Sequence, residues 1–347
     1  MASGTPPHLN AIERAASPAP AATVRTGPVS CLVINPRSFT VASSRLAARA
    51  IALAKAHGAE VIAADQPPHF EAGLDAALAR GARRVFVLGG DGTVQAIVDH
   101  LARRAPGSAL PQLLVLGGGR TNLTAADLHG SGSALKKLES ALIRSARDPA
   151  GGFELHHRHT LVMEQAPAPP RHGFFVAGAI VDSLIRRCHH ERATGSGSLR
   201  TGTYSTAWIL MKEAVPALRG RAPYVFPELD LEVPGLGHLH EPMRLLLAST
   251  LTHANRMLDP YADRGEGILR VTAVTAGARG FWRSLPRLVT GRYSEAMNIH
   301  YGYLSGRCDG FVVRGLDAYT LDGQSFRADP ARPVTVRTGP RFDFLVP

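Results

Sequence analysis

Three glycines set around one carboxylate, directly after a short apolar run, constrain this chain more than any other stretch: Val85-Phe-Val-Leu-Gly-Gly-Asp-Gly-Thr-Val94. Val85 to Leu88 is too short for a helix and is bounded by glycine, so it reads as a buried strand of a parallel sheet. Thr93 suits a helix N-cap, and Val94, Ile97, Val98 and Leu101 recur behind it at helical spacing. The turn between them is then at the carboxyl edge of a strand and the amino end of a helix, where open α/β sheets bind ligands and anions are favoured. Glycine lets the backbone approach a bulky anion and adopt positive φ without cost, and exposed N–H groups can cradle phosphate oxygens. Asp91 does not fit a bare anion site. It repels phosphate unless a divalent cation lies between them, or unless it acts as a base toward an attacking hydroxyl; both roles belong to phosphoryl transfer. A tight turn in a nonbinding domain would explain the glycines but not the carboxylate.

Gly89-Gly-Asp-Gly-Thr93 resembles the signature of the diacylglycerol kinase catalytic domain family, which includes sphingosine kinases and bacterial lipid kinases; NAD kinases and 6-phosphofructokinases carry related versions. Asn35-Pro36-Arg37-Ser38 resembles the family's early N-P-x-[SA]-G nucleotide loop, with Phe39 in place of the glycine. Gly117-Gly-Gly-Arg-Thr-Asn122 resembles P-x-G-T-x-N, keeping Gly119 and Asn122 but placing Arg120 where threonine is expected. Leu321-Asp-Gly-Gln324 resembles the late D-G-E motif with glutamine for glutamate. The resemblance runs in order from about Ser30 to the end. It implies an α/β nucleotide domain joined to a β-sandwich, with the active site in the cleft between them.

A chain of 347 residues can hold two domains with sizeable cores. Its net charge of +11 favours anionic partners, such as nucleotide phosphates or an acidic lipid surface. The arginines are scattered, and no zinc-finger spacing, aromatic RNA-binding signature or DNA-reading module occurs, so no nucleic-acid partner is expected. Cys31, Cys188 and Cys308 are far apart and odd in number, which fits a reducing cytosol better than a disulfide framework. Residues 1–28 are rich in Ala, Pro, Ser and Thr, do not read as a signal peptide, and are expected to form a disordered leader. No apolar run approaches the roughly 20 residues that span a bilayer. The expectation is a cytoplasmic protein in peripheral contact with a membrane, with a homodimer left open.

Cys31 to Ile34, Glu60 to Ala64, Val85 to Leu88 and Gln112 to Leu116 read as strands. They alternate with helices marked by Leu46, Ala50, Leu53 and Ala54, by Phe70, Leu74, Ala77 and Leu78, and by Ser133 to Arg147. That spacing predicts a doubly wound, Rossmann-like parallel sheet over residues 29–150. From 151 to 347, short apolar runs at Phe153 to Met163, Phe174 to Val181, Leu229 to Val233, Met243 to Thr250, Ile268 to Thr275 and Phe311 to Arg314 predict an antiparallel, β-rich second domain. One helix, Tyr204 to Val215, interrupts it, and the C-terminal end is expected to return to the first domain.

Asp322 lies in a strand-turn-strand context, where Asp-Gly is also the commonest hairpin signal. The resemblance places this carboxylate in the cleft as a candidate base for a lipid hydroxyl. Gln324 carries no charge, so the role of the usual glutamate would be lost. Gly178-Ala-Ile-Val-Asp182 resembles a sphingosine kinase segment that puts an aspartate beside the substrate head group; an aspartate there is also a plain strand end or helix cap. Arg192 and Arg200 flank Thr194-Gly-Ser-Gly-Ser198 and could neutralise terminal phosphates, or be solvated loop charges. Glu266 replaces aspartate in a segment where some bacterial relatives hold a structural magnesium, a site left open here. His156, His157 and His159, with His189 and His190, are explained by strand exposure more cheaply than by a transition metal. Phe281-Trp-Arg-Ser-Leu-Pro-Arg-Leu-Val is basic and amphipathic, suited to a membrane surface or to packing on the core.

The expected activity is transfer of the γ-phosphate of ATP, with Mg²⁺, to a diacylglycerol- or sphingoid-type lipid alcohol. Asn35, Pro36, Arg37, Gly89, Gly90, Asp91, Gly92, Thr93, Gly119, Arg120, Thr121, Asn122, Arg192 and Arg200 are expected around the nucleotide, Asp91 also at the metal, and Asp182 at the substrate. Asp91 and Asp322 are the catalytic pair. Two alternatives stand beside this. One is a catalytically impaired nucleotide- or lipid-binding protein, favoured by Phe39, Arg120 and Gln324; the other is an NAD kinase-like enzyme, whose Asn-Glu pair Thr121-Asn122-Leu123 does not supply. A dehydrogenase is disfavoured because no G-x-G-x-x-G turn follows the first strand.

Overall fold

The computed structural model describes residues 30–42, 44–104, 109–119, 122–129, 132–148, 152–194, 216, 218–220, 225–252 and 259–346. The leader expected over 1–28 and the helix expected at Tyr204 to Val215 lie outside them.

The first part runs β1 (Ser30–Ile34), α1 (Phe39–Ala42), α2 (Leu46–Ala56), β2 (Glu60–Ala63), α3 (Pro67–Ala79), β3 (Arg84–Gly89), α4 (Asp91–Ala102), β4 (Gln112–Gly117), α5 (Leu123–His129) and α6 (Ala134–Arg147). Strands β2, β1, β3 and β4 pair in parallel in that order. Because strand side chains alternate between faces, the apolar runs divide. Cys31, Val33, Val85, Val87, Leu113 and Val115 meet Phe70 and Leu74 of α3 and Val94, Ile97 and Leu101 of α4. Leu32, Ile34, Phe86, Leu88, Leu114 and Leu116 meet Ala50 and Ala54 of α2 and Leu138, Ala141 and Leu142 of α6. Helices cover both faces, the doubly wound arrangement expected. Each fully buried Leu or Ile in these layers stabilises the fold by roughly 1.5–3 kcal/mol.

The second part runs β5 (Glu154–Glu164), β6 (Arg171–Gly173), β7 (Phe175–Gly178), α7 (Ala179–Thr194), β8 (Glu228–Val233), β9 (Gly237–Ser249), β10 (Leu269–Thr275), α8 (Phe281–Val289), β11 (Tyr303–Cys308), β12 (Gly310–Arg314), β13 (Ala318–Leu321), β14 (Gln324–Arg327) and β15 (Val334–Val346). Its strand pairs are antiparallel. Strand β9 serves two layers: Gly237 to Pro242 pair with β8, and Met243 to Ser249 pair with β10 and β7. Leu229, Leu231, Phe311 and Val336 of one layer pack on Leu246, Val271, Leu304 and Leu321 of the other, so the layers enclose a common core. The end of β15 returns to the parallel sheet, where Phe344 pairs in parallel with Leu113 of β4.

One expected strand is corrected. Phe174 to Val181 is not a single strand: β7 ends at Gly178, Ala179 takes φ 54°, and the chain enters α7. Ile180 then packs in a small core with Leu245, Val274 and Phe281. An apolar run this short satisfies a buried strand and a buried helical turn equally well, so periodicity cannot separate them. Among the described residues no helix is long and apolar enough to cross a membrane.

Candidate active site

Three loops leave the carboxyl ends of β1, β3 and β4 and interlock. Gly118 N–H donates to the Gly89 carbonyl at 2.7 Å, and Gly90 N–H donates to Ser38 Oγ at 3.1 Å. Thr40 N–H donates to the Gly118 carbonyl at 2.9 Å, and Asn35 Nδ2 donates to Thr93 Oγ1 at 3.0 Å. Asn122, at φ 50°, accepts from Gly119 N–H at 2.8 Å and donates back to the Gly119 carbonyl at 2.9 Å. The amides of Asn35 and Asn122 thus shape the loops from within.

The glycines act through close approach and not through positive φ. None of Gly89, Gly90, Gly92, Gly118 and Gly119 takes a left-handed conformation. A Cβ on Gly119 would instead stand 2.7 Å from Gly90 Cα, and one on Gly118 would stand 3.2 Å from Gly89 Cα. The two glycine-rich loops therefore touch backbone to backbone, which any side chain would prevent. The expected N-cap at Thr93 is also corrected: α4 begins at Asp91 with Gly90 as N-cap at φ −87°, Thr93 N–H already donates to the Gly90 carbonyl at 2.9 Å, and the Thr93 hydroxyl accepts from Asn35. Asp91 occupies the first turn of α4, and its Oδ1 accepts from Thr124 N–H of α5 at 3.2 Å.

The second part reaches this turn through the β13–β14 hairpin. Asp322 (φ 47°) and Gly323 (φ 81°) form its two-residue connection, with both residues left-handed as in a type I′ turn. Asp322 is both a turn residue and a buried acid. It is 6% exposed, and its carboxylate accepts from Phe174 N–H at 2.9 Å and Phe175 N–H at 2.8 Å. Burial pushes its carboxyl up to about 7; the two backbone N–H groups pull it down, and the charge of Asp91 pushes it further up. Gln324 lies directly over the start of α4, since a Cβ on Gly92 would meet its Nε2 at 2.3 Å. Asp91, Asp322 and Gln324 therefore belong to one site.

Other candidates are placed differently. Arg37 is exposed and paired with Asp65 at 2.9 Å. Asp182, in the first turn of α7, is 1% exposed and receives Thr320 Oγ1 at 2.7 Å, with Arg186 Nε at 2.8 Å; burial raises its carboxyl. Thr320 is two residues before Asp322, so Asp182 supports the hairpin from beneath. Arg192 is in α7, but its side chain, like those of His189 and His190, lies outside the described set. Arg120, Thr121 and Arg200 also lie outside it. His156, His157 and His159 engage separate partners, namely the Leu128 carbonyl, Asp343 and the Gly339 carbonyl. Among the described residues no group of His, Cys, Asp and Glu large enough to enclose a metal is found, at Glu266 or elsewhere. Burial pushes the Cys31 and Cys308 thiols up to about 12 and about 11, so neither is a ready nucleophile.

Ser38, Gly173 and the amides of Phe174 and Phe175 were not among the expected site residues. A Cβ on Gly173 would stand 2.6 Å from Asp322 Oδ2. Nothing local in His172-Gly-Phe-Phe175 announces that the segment holds an acid nearly 150 positions away.

With motif order, interlocked loops and paired carboxylates in place, the comparison with known families is decisive. Residues 30–151 match the model of the diacylglycerol kinase catalytic domain. That match takes in all three glycine-rich or Asn-bearing loops of the parallel part. The full chain shares its fold with solved bacterial proteins. A diacylglycerol kinase from Bacillus anthracis strain Sterne superposes with TM-score 0.55 at 12% identity, over 92% of this chain and 96% of that one. Two further proteins of that strain, provisionally named as diacylglycerol kinases, superpose with TM-scores 0.59 and 0.57 at 13% and 14% identity. Both cover 92% of this chain, and 96% and 97% of their own length. No curated protein matches the chain. The match covers the glycine-rich loops that surround Asp91, and the likeness to the solved structures extends the shared fold to the part that carries Asp322.

Proposed function

We propose that this chain is an ATP-dependent lipid kinase, with the nucleotide held by residues 29–150 and the lipid by 151–347. One observation carries the reading: a buried acid poised near neutrality, Asp322, meets the mouth of the glycine turn beside Asp91. A general base works best when its pKa lies near the working pH, and Asp322 has that property without further tuning. The lipid hydroxyl oxygen attacks the γ-phosphorus, the bond to the bridging β-oxygen breaks, ADP departs, and the hydroxyl proton passes to Asp322.

Positioning and charge neutralisation supply most of the rate in such transfers. The backbone of Gly89, Gly90, Gly92 and Thr93 with Gly119 frames the phosphates, while Asn35 and Asn122 keep the loops in register. On sequence grounds Arg192 and Arg200 are assigned to the terminal phosphates, and Arg120 and Thr121 to the nucleotide. Magnesium suits this donor set, because it takes one or two carboxylates together with phosphate and water oxygens. Asp91 would hold it, and the bound ion would offset phosphate charge.

A membrane-facing surface is proposed around α8. Phe281 and Leu288 face the core, while Trp282, Arg283, Pro286 and Arg287 are exposed. Arg279, Arg283, Arg287 and Arg292 are exposed, and residues 276–294 contain no acid, a composition suited to anionic lipid. The test of the main reading is transfer from γ-labelled ATP to diacylglycerol, sphingoid bases, ceramide and phosphatidylglycerol in detergent with magnesium. Labelled lipid supports it, and the absence of transfer to every acceptor overturns it. Gln324 favours one alternative, a nucleotide-binding protein without turnover, since a neutral amide occupies the place of the family's acid; ATP binding without transfer would select it.

A further inference from the structure

We infer that Gln95 and Asp99 are positioning residues that set the distance between Asp91 and Asp322. The inference deepens the kinase reading and rests on it only for the kinetic half of its test. Asp91, Gln95 and Asp99 fall at i, i+4 and i+8 on α4, one stripe along a single helix face. Gln95 and Asp99 are 4% and 3% exposed, on a helix whose other buried positions are mostly apolar. Burying an amide and a carboxylate is costly unless both are bonded. Here Gln95 and Asp99 Oδ1 meet one residue of β6, His172, while Asp99 Oδ2 lies 3.5 Å from Arg103 Nε and 3.9 Å from Nη1 of Arg171, the residue before His172.

Asp99 Oδ1 accepts from His172 N–H at 2.8 Å and lies 3.1 Å from His172 Nδ1. Gln95 Nε2 donates to the His172 carbonyl at 3.1 Å. The N–H of His172 thus meets Asp99, and its C=O meets Gln95 one helical turn nearer the site. Strand β6 is laid along the stripe with its chain running toward Asp91. Two residues further on, Phe174 N–H begins the clamp on Asp322.

The ladder to β5 fixes β6 within its sheet, and these bonds fix it against α4, along which apolar packing alone would let it slide. A slip of one residue moves a strand by about 3.3 Å and breaks both ends of the grip. On the helix, eight residues separate Asp99 from Asp91, about 12 Å at the rise of 1.5 Å per residue. The helix and the strand share His172 as a common origin and end at the two carboxylates. They act together as a ruler that spans the two parts of the chain.

The experiment compares Asp99→Leu, Asp99→Asn and Gln95→Leu in the full-length chain, each checked for a cooperative thermal transition. Asp99→Leu is expected to lower kcat about 100-fold, the scale of a 1 Å misplacement, with KM for ATP unchanged. Asp99→Asn, which keeps an acceptor for His172 N–H, is expected to restore kcat to within a few-fold. Amide exchange at Phe174 and Phe175 is expected to accelerate in Asp99→Leu and Gln95→Leu and to recover in Asp99→Asn. Unchanged exchange, a loss confined to KM, or no rescue by asparagine would overturn the inference. If Asp99→Leu fails to fold, Gln95→Leu, which removes one bond only, decides between the same two outcomes. If wild type transfers no phosphate, the kinase reading falls, and amide exchange alone decides whether the grip positions Asp322.

Discussion

Asp91 and Asp322 are two carboxylates of one site in opposite settings. Asp91 is half-buried in the first turn of a helix, with a backbone N–H of α5 on its oxygen. Asp322 is buried in a hairpin turn, where desolvation pushes it up to about 7 and the neighbouring Asp91 adds to the shift. On the proposed reading the two acids do separate work: Asp91 faces metal and phosphate, while Asp322 takes the proton.

The largest effect expected from breaking this contrast is on turnover. Asp322→Asn removes the proton acceptor and should lower kcat by about 10³-fold, within the range for general bases, with ATP affinity retained. Asp91→Asn should instead weaken magnesium-dependent ATP binding as well as turnover, which titration with ATP and Mg²⁺ would show. If both variants turn over like wild type, the division of roles is wrong.

A stability effect comes next. The folded Asp322 carboxyl lies above its ordinary value of 3.8, at about 7. The native state therefore keeps a proton that the unfolded chain loses between those values, and stability should decline as pH rises through that window. The cost at neutral pH is on the order of 4 kcal/mol. Chemical denaturation should accordingly find Asp322→Asn more stable than wild type near pH 8, with the difference vanishing below pH 4. A constant difference across pH would place the ionised group elsewhere.

At the surface, Arg283→Glu with Arg287→Glu should weaken co-sedimentation with phosphatidylglycerol vesicles at least about fivefold for each arginine lost, since each basic residue near an anionic bilayer contributes about 1 kcal/mol. Turnover on detergent-dispersed lipid should be unchanged. The smallest effect is expected at Gln324→Glu, which sets a third acid over Gly92. It should raise the apparent pKa of Asp322 and change kcat only a few-fold, unless the native glutamine silences the site, in which case turnover would appear.

The parallel half was legible because its strands are buried on both sides and its helices carry clean apolar stripes; the edges of β1, β3 and β4 differ from expectation by a residue at most. The loops were legible as motifs but not as geometry. Thr93 is a suitable N-cap by residue type, yet it lies inside α4 and its hydroxyl accepts from the distant amide of Asn35. The antiparallel half was less legible. Strand β6 has three residues, too few for any period to register, and yet it aligns the two carboxylates. The clamp on Asp322 comes from backbone N–H groups of Phe174 and Phe175, which no side-chain pattern can encode. Sequence therefore pointed to the two candidate acids, while the parts that hold them became visible only in three dimensions.

The central claim is that Asp322 accepts the proton and that the charge of Asp91 helps hold it near neutrality. The most direct measurement is the pH dependence of kcat for lipid phosphorylation in wild type and in Asp91→Asn, at saturating ATP and magnesium. In wild type kcat should rise tenfold per pH unit up to about 7 and then level, and in Asp91→Asn the residual activity should level at a lower pH. A wild-type profile flat from pH 5 to 8, or an inflection that stays in place when Asp91 loses its charge, would contradict the account.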